Sequence, residues 1–148
     1  MALVRFIDEA LRRWRRPSSS EAPHLALGRQ GEEIAGRFLR SRGYRVLRQN
    51  FRGPRGGEVD LVCRDKARSE LVFVEVKTRT SEAFGRPLTA VDQKKQRLII
   101  RGAMAWLRML EMPDVTFRFD VIEVILEGER PEIRHIENAF QLPDSYSY

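Results

Sequence analysis

Four charged side chains lie inside two short apolar segments of the sequence, where a strand within a domain normally carries none. They are Glu58, Asp60, Glu75 and Lys77. Because side chains alternate along a strand, Glu58 and Asp60 are expected on one face of the first strand. Glu75 and Lys77 are likewise expected on one face of the second. If the strands pair, burying these groups costs several kcal/mol unless they are paired, hydrogen-bonded or bound to a cation.

This set has the composition that metal-dependent hydrolysis of a phosphodiester bond requires. Mg²⁺ prefers oxygen ligands in an octahedron and usually takes one or two carboxylates, with phosphate and water completing it. We expect Asp60 and Glu75 to bind Mg²⁺ or Mn²⁺, with the backbone carbonyl of Val76 as a further ligand. A bound metal lowers the pKa of a water molecule and makes it a nucleophile. Lys77 would orient this water and offset the charge that develops on the phosphate.

A structural ion pair is the alternative explanation of these charges. Lys77 would then neutralise Glu75 or Asp60, which leaves the remaining acids uncompensated. One metal ion accounts for all of them, so we favour the metal site. The role of Glu58 stays open between an auxiliary metal ligand and a partner in a hydrogen-bonded network. The bare pattern of Asp followed by Glu-x-Lys also arises by chance, and its weight comes from its position inside two apolar strands.

A helix is predicted over residues 29–42, before the first strands. Its apolar positions recur at the i, i+3, i+4 spacing of an amphipathic helix, and Gly43 is the residue type that commonly follows a helix end. Glu32 projects to the border of the apolar face, which would aim its carboxylate toward the sheet. Taken alone, Glu32 is better explained as an acid in the first turn, where the helix dipole favours it.

Basic residues concentrate in three segments of the chain. The longest helical pattern, over residues 88–110, carries a basic stripe opposite its apolar side, and residues 52–57 form a glycine-rich basic turn. A loop over residues 79–87 is long enough to border a site. We interpret these segments as phosphate contacts, although a basic helix face is about as often merely solvated. The residues assigned to nucleic-acid binding are Arg52, Arg55, Arg79, Lys94, Lys95, Arg97 and Arg101. Lys95 differs from the others because it projects nearer the core-facing side of its helix.

The net charge favours an anionic partner. It is +6 over 148 residues, and it is segregated into basic segments on both sides of an acidic one, with an acidic C-terminal quarter. A basic surface around an acidic centre suits nucleic acid, with DNA favoured. The single cysteine, Cys63, and two histidines argue against a zinc site. A lone thiol, and no apolar run of roughly 18–20 residues, predict a cytoplasmic protein without a transmembrane segment.

The chain is expected to divide near residue 28. Residues 1–27 form a basic amphipathic extension with a Ser-rich linker, and residues 28–148 form the compact domain. One interpretation of the extension is a helix that contacts a partner, nucleic acid or a membrane surface. The other is a poorly ordered segment, which the sequence slightly favours.

An ordered set of short motifs runs from residue 28 to about residue 142. The motifs are Gly28-x-x-Gly31-Glu32-x-x-Ala35, Gly43-Tyr44, Asn50-Phe51-Arg52, Gly57-Glu58-Val59-Asp60-Leu61-Val62, Val72-Phe73-Val74-Glu75-Val76-Lys77-Thr78-Arg79, Lys95-Gln96 and Arg118-Phe119-Asp120-Val121. Together they resemble the YraN-like family of uncharacterised bacterial proteins. That family is similar to the restriction-endonuclease-like superfamily, whose motif is Pro-Asp, a spacer and Asp/Glu-x-Lys. It is also similar to the archaeal Holliday-junction resolvases, which add a glutamate from the first helix.

The resemblance implies roles for particular residues. Asp60, Glu75 and Lys77 match the catalytic core of the superfamily. Glu32 matches the glutamate of the first helix in the resolvases. The chain departs from the superfamily at Val59, where a proline often stands.

We therefore expect an α/β fold with a restriction-endonuclease-like core, a central mixed β-sheet flanked by helices in the order α-β-β-β-α-β. The expected function is a metal-dependent endonuclease that hydrolyses DNA, with branched or otherwise structured DNA and a homodimer implied by the resolvases. The alternative is a non-catalytic nucleic-acid-binding or scaffolding protein that retains the nuclease fold. The complete set of Asp60, Glu75 and Lys77 favours the enzyme, because a protein that had lost its activity would be expected to lose one of them.

Overall fold

The structure, a computed structural model, describes residues 23–80 and 91–146 of the chain. Within these residues it contains two helices and five strands. In chain order they are α1 (Pro23–Ser41), β1 (Tyr44–Arg52), β2 (Glu58–Asp65), β3 (Glu70–Arg79), α2 (Gln93–Met109), β4 (Phe117–Ile125) and β5 (Glu132–Phe140). Residues 1–22 of the predicted extension and residues 81–87 of the predicted loop lie outside the described part of the chain.

The strands form one mixed sheet in the order β1-β2-β3-β4-β5. β3 and β4 run parallel, and the other neighbouring pairs are antiparallel. The parallel connection passes through α2, as a crossover between parallel strands requires. The α/β class and the mixed sheet with flanking helices are confirmed, and the arrangement is consistent with a restriction-endonuclease-like core.

The sheet is covered by one helix on each face, so the protein has two apolar layers. The apolar stripe of α1 packs Ile34, Ala35 and Leu39 against one face of the sheet. The stripe of α2 packs Ile99, Ala103 and Leu107 against the other face. These stripes match the helical periodicity of the sequence, because only positions three and four apart return to one side of a helix.

α1 begins earlier than the sequence predicted. It starts at Pro23, a residue type whose fixed backbone angle suits the first helical position. Ala26 is buried and Leu27 packs against the core, because both extend the apolar stripe by one turn toward the N-terminus. Residues 23–27, which were predicted to lie in the N-terminal extension, therefore belong to α1. The predicted end is confirmed by Gly43, which has a φ of +88°.

The start of α2 is fixed by a side-chain cap. The carboxylate of Asp92 accepts a hydrogen bond of 2.8 Å from the backbone amide of Lys95. Such a cap satisfies one of the amides that the first helical turn leaves without a partner. It also sets the rotation of the first turn, which carries Lys95 and Gln96. No helix within the described residues combines the length and the apolar character that crossing a membrane requires.

Candidate active site

The strands β2 and β3 separate at one end, and a carboxylate lies at the separation. Their pairing runs from Asp65 opposite Glu70 to Leu61 opposite Val74 and ends there. Beyond that point the backbone amide of Val76 donates to Oδ2 of Asp60 at 2.8 Å. The side chain of Asp60 thus replaces the strand carbonyl that would otherwise accept this bond. Its carboxylate is held against β3 as a result.

The regular alternation of side chains is interrupted at the same place. Val59 packs in the layer covered by α2, whereas Leu61, two positions along, packs in the layer covered by α1. In an uninterrupted strand these two residues would share a face. On β1, Asn50 has a φ of +49° and lies between residues that pair with Val59 and Leu61. The shared face predicted for Glu58 and Asp60 assumed regular alternation, which does not hold here.

The carboxyl groups of Asp60, which is mostly buried, and Glu75, which is buried, lie close enough for each to shift the pKa of the other. Burial first, and then the charge of Asp60, raise the pKa of Glu75 to about 8. Burial also raises the pKa of Asp60, and the amide of Val76 works against this rise. Two carboxyl groups in contact cannot both be charged without large repulsion, so near neutral pH the pair retains one proton.

Two lysines approach the same oxygen of Glu75. The amine of Lys77 lies 3.5 Å from Oε1 of Glu75, and the amine of Lys95 lies 3.7 Å from it. Lys95 also makes a close hydrogen-bonded ion pair with Oε1 of Glu58, which lowers the pKa of Glu58. The sequence assigned Lys95 to nucleic-acid contacts, but its amine lies among the acids. The shared face predicted for Glu75 and Lys77 agrees with their contact.

Glu32 joins these groups from the other side of the sheet. Burial first, and then the charge of Asp60, raise its pKa to about 7, while a hydrogen bond with Asn50 opposes this rise. Helical projection alone gave a weak case for Glu32, and the resemblance gave a stronger one. The six residues that the structure brings together are called the acid–lysine cluster below. They are Glu32, Glu58, Asp60, Glu75, Lys77 and Lys95.

Two glycines allow the helices to pack very closely against the strands that carry this cluster. A Cβ atom on Gly31 would lie 1.8 Å from Oγ1 of Thr78, so α1 rests directly on β3 one residue before Glu32. A Cβ on Gly57 would lie 2.3 Å from the backbone nitrogen of Gly102, so the start of β2 touches the backbone of α2. Any larger side chain at these glycines would separate the elements. The contacts explain why glycines flank the acids in the sequence.

Five of the predicted nucleic-acid residues form an exposed group, called the basic rim. They are Arg52, Arg55, Lys94, Arg97 and Arg101. The guanidinium of Arg101 donates to the backbone carbonyl of Arg55 at 3.3 Å, which joins α2 to the glycine-rich turn. The charge of Arg52 helps to lower the pKa of Glu58. The basic rim therefore extends to the edge of the acid–lysine cluster.

Arg79 does not belong to this exposed group. Only 13% of its side chain is exposed, and its Nε lies 3.3 Å from Oε1 of Glu123, which is fully buried. Both carboxylate oxygens of Glu123 are buried without a hydrogen-bond partner among the described residues. The side chain of Arg79 therefore points into the core, toward this buried acid of β4. Glu123 was not identified from the sequence, since one acid within an apolar strand gives no indication of its partner.

The acids of the cluster suit a hard divalent cation, although they do not form a complete cage. No group of three or more carboxylate, histidine or cysteine side chains among the described residues could hold a metal ion by itself. Mg²⁺ does not require one, because it is usually held by one or two carboxylates together with water and phosphate. Oε2 of Glu75 is buried, and no N–H or O–H group of the described residues donates to it. An oxygen of this kind fits a cation as its missing partner.

A second ionic network lies elsewhere in the sheet and explains the last of the sequence motifs. Arg118 donates to Asp120 at 3.0 Å, to Asp65 at 3.1 Å, to Glu70 at 3.0 Å and to the hydroxyl of Tyr44 at 2.8 Å. Asp120 is fully buried and also contacts His135 at 2.8 Å and the amide of Asn138 at 2.9 Å. The network joins all five strands through side chains, and its hydrogen bonds leave Asp120 well satisfied. We assign it to stability.

Cys63 is buried among apolar side chains and forms no disulfide. Burial raises the pKa of its thiol to about 12. A thiol of this kind is not a nucleophile at neutral pH. It is part of the core.

Comparison with known proteins identifies relatives of the chain. The model of a family described as uncharacterised protein family UPF0102 matches residues 31–124, a range that contains the whole acid–lysine cluster. A UPF0102 protein of Trichlorobacter lovleyi is 50% identical over 118 residues, which cover 79% of this chain and 91% of the relative. One from Pelobacter propionicus is 48% identical over 128 residues, covering 85% and 91%. One from Geobacter metallireducens is 47% identical over 117 residues, covering 79% and 93%.

Proposed function

The chain belongs to the uncharacterised family UPF0102, which confirms the resemblance to the YraN-like family, and from its acid–lysine cluster we propose that it is a nuclease. It hydrolyses phosphodiester bonds of DNA with the help of Mg²⁺ or Mn²⁺. The observation that carries the proposal is the buried carboxyl pair of Asp60 and Glu75 with the amine of Lys77 at 3.5 Å. Without a cation, this pair must retain a proton.

Asp60 and Glu75 would hold the metal ion, with the carbonyl of Val76 as a further oxygen ligand. When bound, the ion supplies charge stabilisation at the phosphate and a water of lowered pKa. Lys77 is fixed beside Glu75 and offers a positive charge and donor hydrogens to the attacked phosphate. Glu32, whose pKa lies near 7, is suited to accept or hold a proton beside Asp60.

The basic rim supports a nucleic acid as the substrate. Arg52 of the rim is close enough to Glu58 to lower its pKa, so we expect a nucleic-acid backbone bound along the rim to reach the acid–lysine cluster. The choice of DNA, and of branched or structured DNA in particular, rests on the resemblance to resolvases. The same resemblance is the basis for expecting a homodimer.

A second function is favoured by a different observation. Lys77 and Lys95 already provide two positive charges beside the acids, which is how a protein that binds nucleic acid without cleaving it could stabilise the same cluster. The protein would then bind DNA through the basic rim and show no metal-dependent cleavage.

A cleavage assay separates the two functions. The full chain is incubated with Mg²⁺ or Mn²⁺ and with linear, single-stranded, flap and four-way-junction DNA. We expect cleavage of at least one substrate, its loss on chelation of the metal, and a drop of about 100-fold or more in Glu75→Gln and Lys77→Met. DNA binding by these variants should persist.

Lys66→Met is the matched control, because Lys66 is exposed in the turn after β2 and outside the acid–lysine cluster. It should cleave like the unmodified protein. DNA binding without metal-dependent cleavage of any of the four substrates would reject the nuclease in favour of the binding protein.

A further inference from the structure

Lys95 lies where a cation would serve the acids best. Its ammonium group contacts Oε1 of Glu58 and lies 3.7 Å from Oε1 of Glu75. These contacts place the ammonium group as a counter-ion between two carboxyl groups of the cluster.

Two contacts of α2 fix the position of Lys95. Its backbone amide is bonded to the capping carboxylate of Asp92, and α2 touches the start of β2 through Gly102 and Gly57. Its side chain is 24% exposed, so the amine has a path toward solvent, whereas Glu75, at 5% exposed, has none. Of the two groups, only the lysine can leave the contact without opening the core.

A lysine ammonium and a divalent cation cannot share one carboxylate oxygen at close range. Like charges a few ångströms apart repel strongly where water is scarce, and Oε1 of Glu75 already has two ammonium neighbours. Lys77 follows Glu75 by two positions on the same strand, so its distance from that acid is limited by the backbone. Lys95 comes from a different element and is also bonded to Glu58, with which it can stay paired after leaving Glu75.

We propose that Lys95 is the resident cation of the metal-free site, and that a divalent cation binds by displacing its ammonium group from Glu75 onto Glu58 and solvent. This inference rests on the proposed function, since it concerns the same metal. It gives Glu58 the role of a dock for the displaced lysine rather than of a metal ligand. It also makes the metal affinity of the site lower than its acids alone would provide.

The first test measures the affinity of Mn²⁺ for the full chain in the absence of DNA, by calorimetry or by electron paramagnetic resonance of the free ion. Lys95→Met keeps the length of the side chain and removes the competing charge. We expect the affinity to increase about fivefold, the factor that an ion pair of this exposure is worth. Lys66→Met, which removes an equal charge outside the cluster, should leave the affinity unchanged. Glu75→Gln should abolish binding and so identify the site.

The second test uses the unmodified protein, because Lys95→Met leaves two acids with less compensation and its folding must be checked by circular dichroism. Brief acetylation is carried out with and without Mg²⁺ at equal ionic strength, and each lysine is located by fragment-ion mass spectrometry. Displacement should raise the acetylation rate of Lys95 severalfold while Lys66 stays constant. Because a nearby cation also lowers the pKa of an amine, the rate is measured as a function of pH. Displacement should raise the limiting rate of the unprotonated amine, which a shift of its pKa alone leaves unchanged.

The outcomes distinguish this inference from the proposed function. If the unmodified protein binds Mn²⁺ at Glu75, but Lys95→Met binds it equally and Mg²⁺ leaves the acetylation of Lys95 unchanged, the displacement is wrong and the metal site stands. If neither the unmodified protein nor Lys95→Met binds Mn²⁺, the displacement and the metal-dependent nuclease are both rejected.

Discussion

At the residue scale, Glu75 has a pKa that reverses the usual effect of pH on an acidic side chain. Burial and the charge of Asp60 raise the pKa of its carboxyl group from the ordinary 4.5 to about 8. Glu32 is raised from 4.5 to about 7 in the same way. Between these values the folded protein retains protons that the unfolded chain releases. Folding stability must therefore fall as the pH rises through this range.

We predict that the metal-free protein loses stability between pH 4.5 and about pH 8. The free energy of unfolding, measured by urea titration in the presence of a chelator, should decrease steadily as the pH rises across this window. Below the window it should fall as the pH is lowered, because Glu58 and Asp120, whose pKa values are lowered in the folded protein, then take up protons. In Glu75→Gln the decrease should be smaller and should end near pH 7, because the neutral amide does not lose a proton whereas Glu32 still does. Glu129→Gln, at an exposed position between β4 and β5, should retain the slope of the unmodified protein. A stability that instead rises with pH would show that Glu75 is charged when buried.

The sequence predicted Asp60, Glu75 and Lys77 together because they lie on two consecutive strands, where pairing and alternation limit the possible arrangements. It placed Lys95 less well, since periodicity gives the direction of a side chain around α2 but not the rotation of α2 against the sheet. For a related reason, the direction of the Arg79 side chain was not predicted. Its direction depends on Glu123 of β4, which no local pattern connects to it.

At the element scale, the position of α1 depends on a contact between residues far apart in the sequence. Gly31 lies against Thr78 of β3, and the next residue in α1 is Glu32. Helical periodicity predicts which side of α1 is apolar but cannot predict how closely the helix approaches. For this reason the sequence of α1 alone did not distinguish Glu32 from an ordinary acid of the first helical turn. Only the family resemblance identified it as a site residue.

We predict that Gly31→Ala disturbs both stability and the environment of Glu32. The added methyl group would lie 1.8 Å from Oγ1 of Thr78, so α1 must move outward, at a cost of about 1–3 kcal/mol. Glu32 should lose part of its burial, and its pKa, followed by NMR titration, should fall from about 7 toward the ordinary range.

Gly28→Ala is the matched control within the same helix. A Cβ at Gly28 would meet no atom within 4 Å, so alanine should be neutral or stabilise the helix by up to about 1 kcal/mol. Combining Gly31→Ala with Thr78→Ala should recover part of the loss, because the clash involves that side chain. Equal effects of the two glycine substitutions would contradict the close contact.

At the scale of the whole molecule, residues 23–80 and 91–146 contain two ionic networks of different character. The acid–lysine cluster contains acids with raised pKa values and a buried oxygen without a donor. In the network around Arg118, the fully buried Asp120 has hydrogen bonds from Arg118, His135 and the amide of Asn138. These bonds lower the pKa of Asp120 although burial alone would raise it. Of the two networks, only the acid–lysine cluster has a buried carboxylate oxygen that lacks a hydrogen-bond donor among the residues that the structure describes.

We predict that Arg118→Met separates stability from function. Removing the cation leaves Asp120 and Asp65 buried without their main partner, and the free energy of unfolding should fall by about 3–5 kcal/mol. Affinity for Mn²⁺, measured at a temperature where the variant is folded, should be unchanged. Arg68→Met, which removes an exposed ion pair with Glu137, should change stability little. A loss of Mn²⁺ affinity in folded Arg118→Met would mean that the networks are connected.

The hydrogen bond between Asp60 and the backbone of Val76 makes one peptide group a natural sensor. An amide proton bonded to a carboxylate resonates at a position that depends on the charge of that carboxylate, and here the carboxylate belongs to the centre of the candidate site. In a nitrogen-15 spectrum, the single cross-peak of Val76 would therefore follow protonation of Asp60 or its coordination to an ion. The protein carries this probe in its own main chain, so the state of the site can be observed without a chemical label or a substrate.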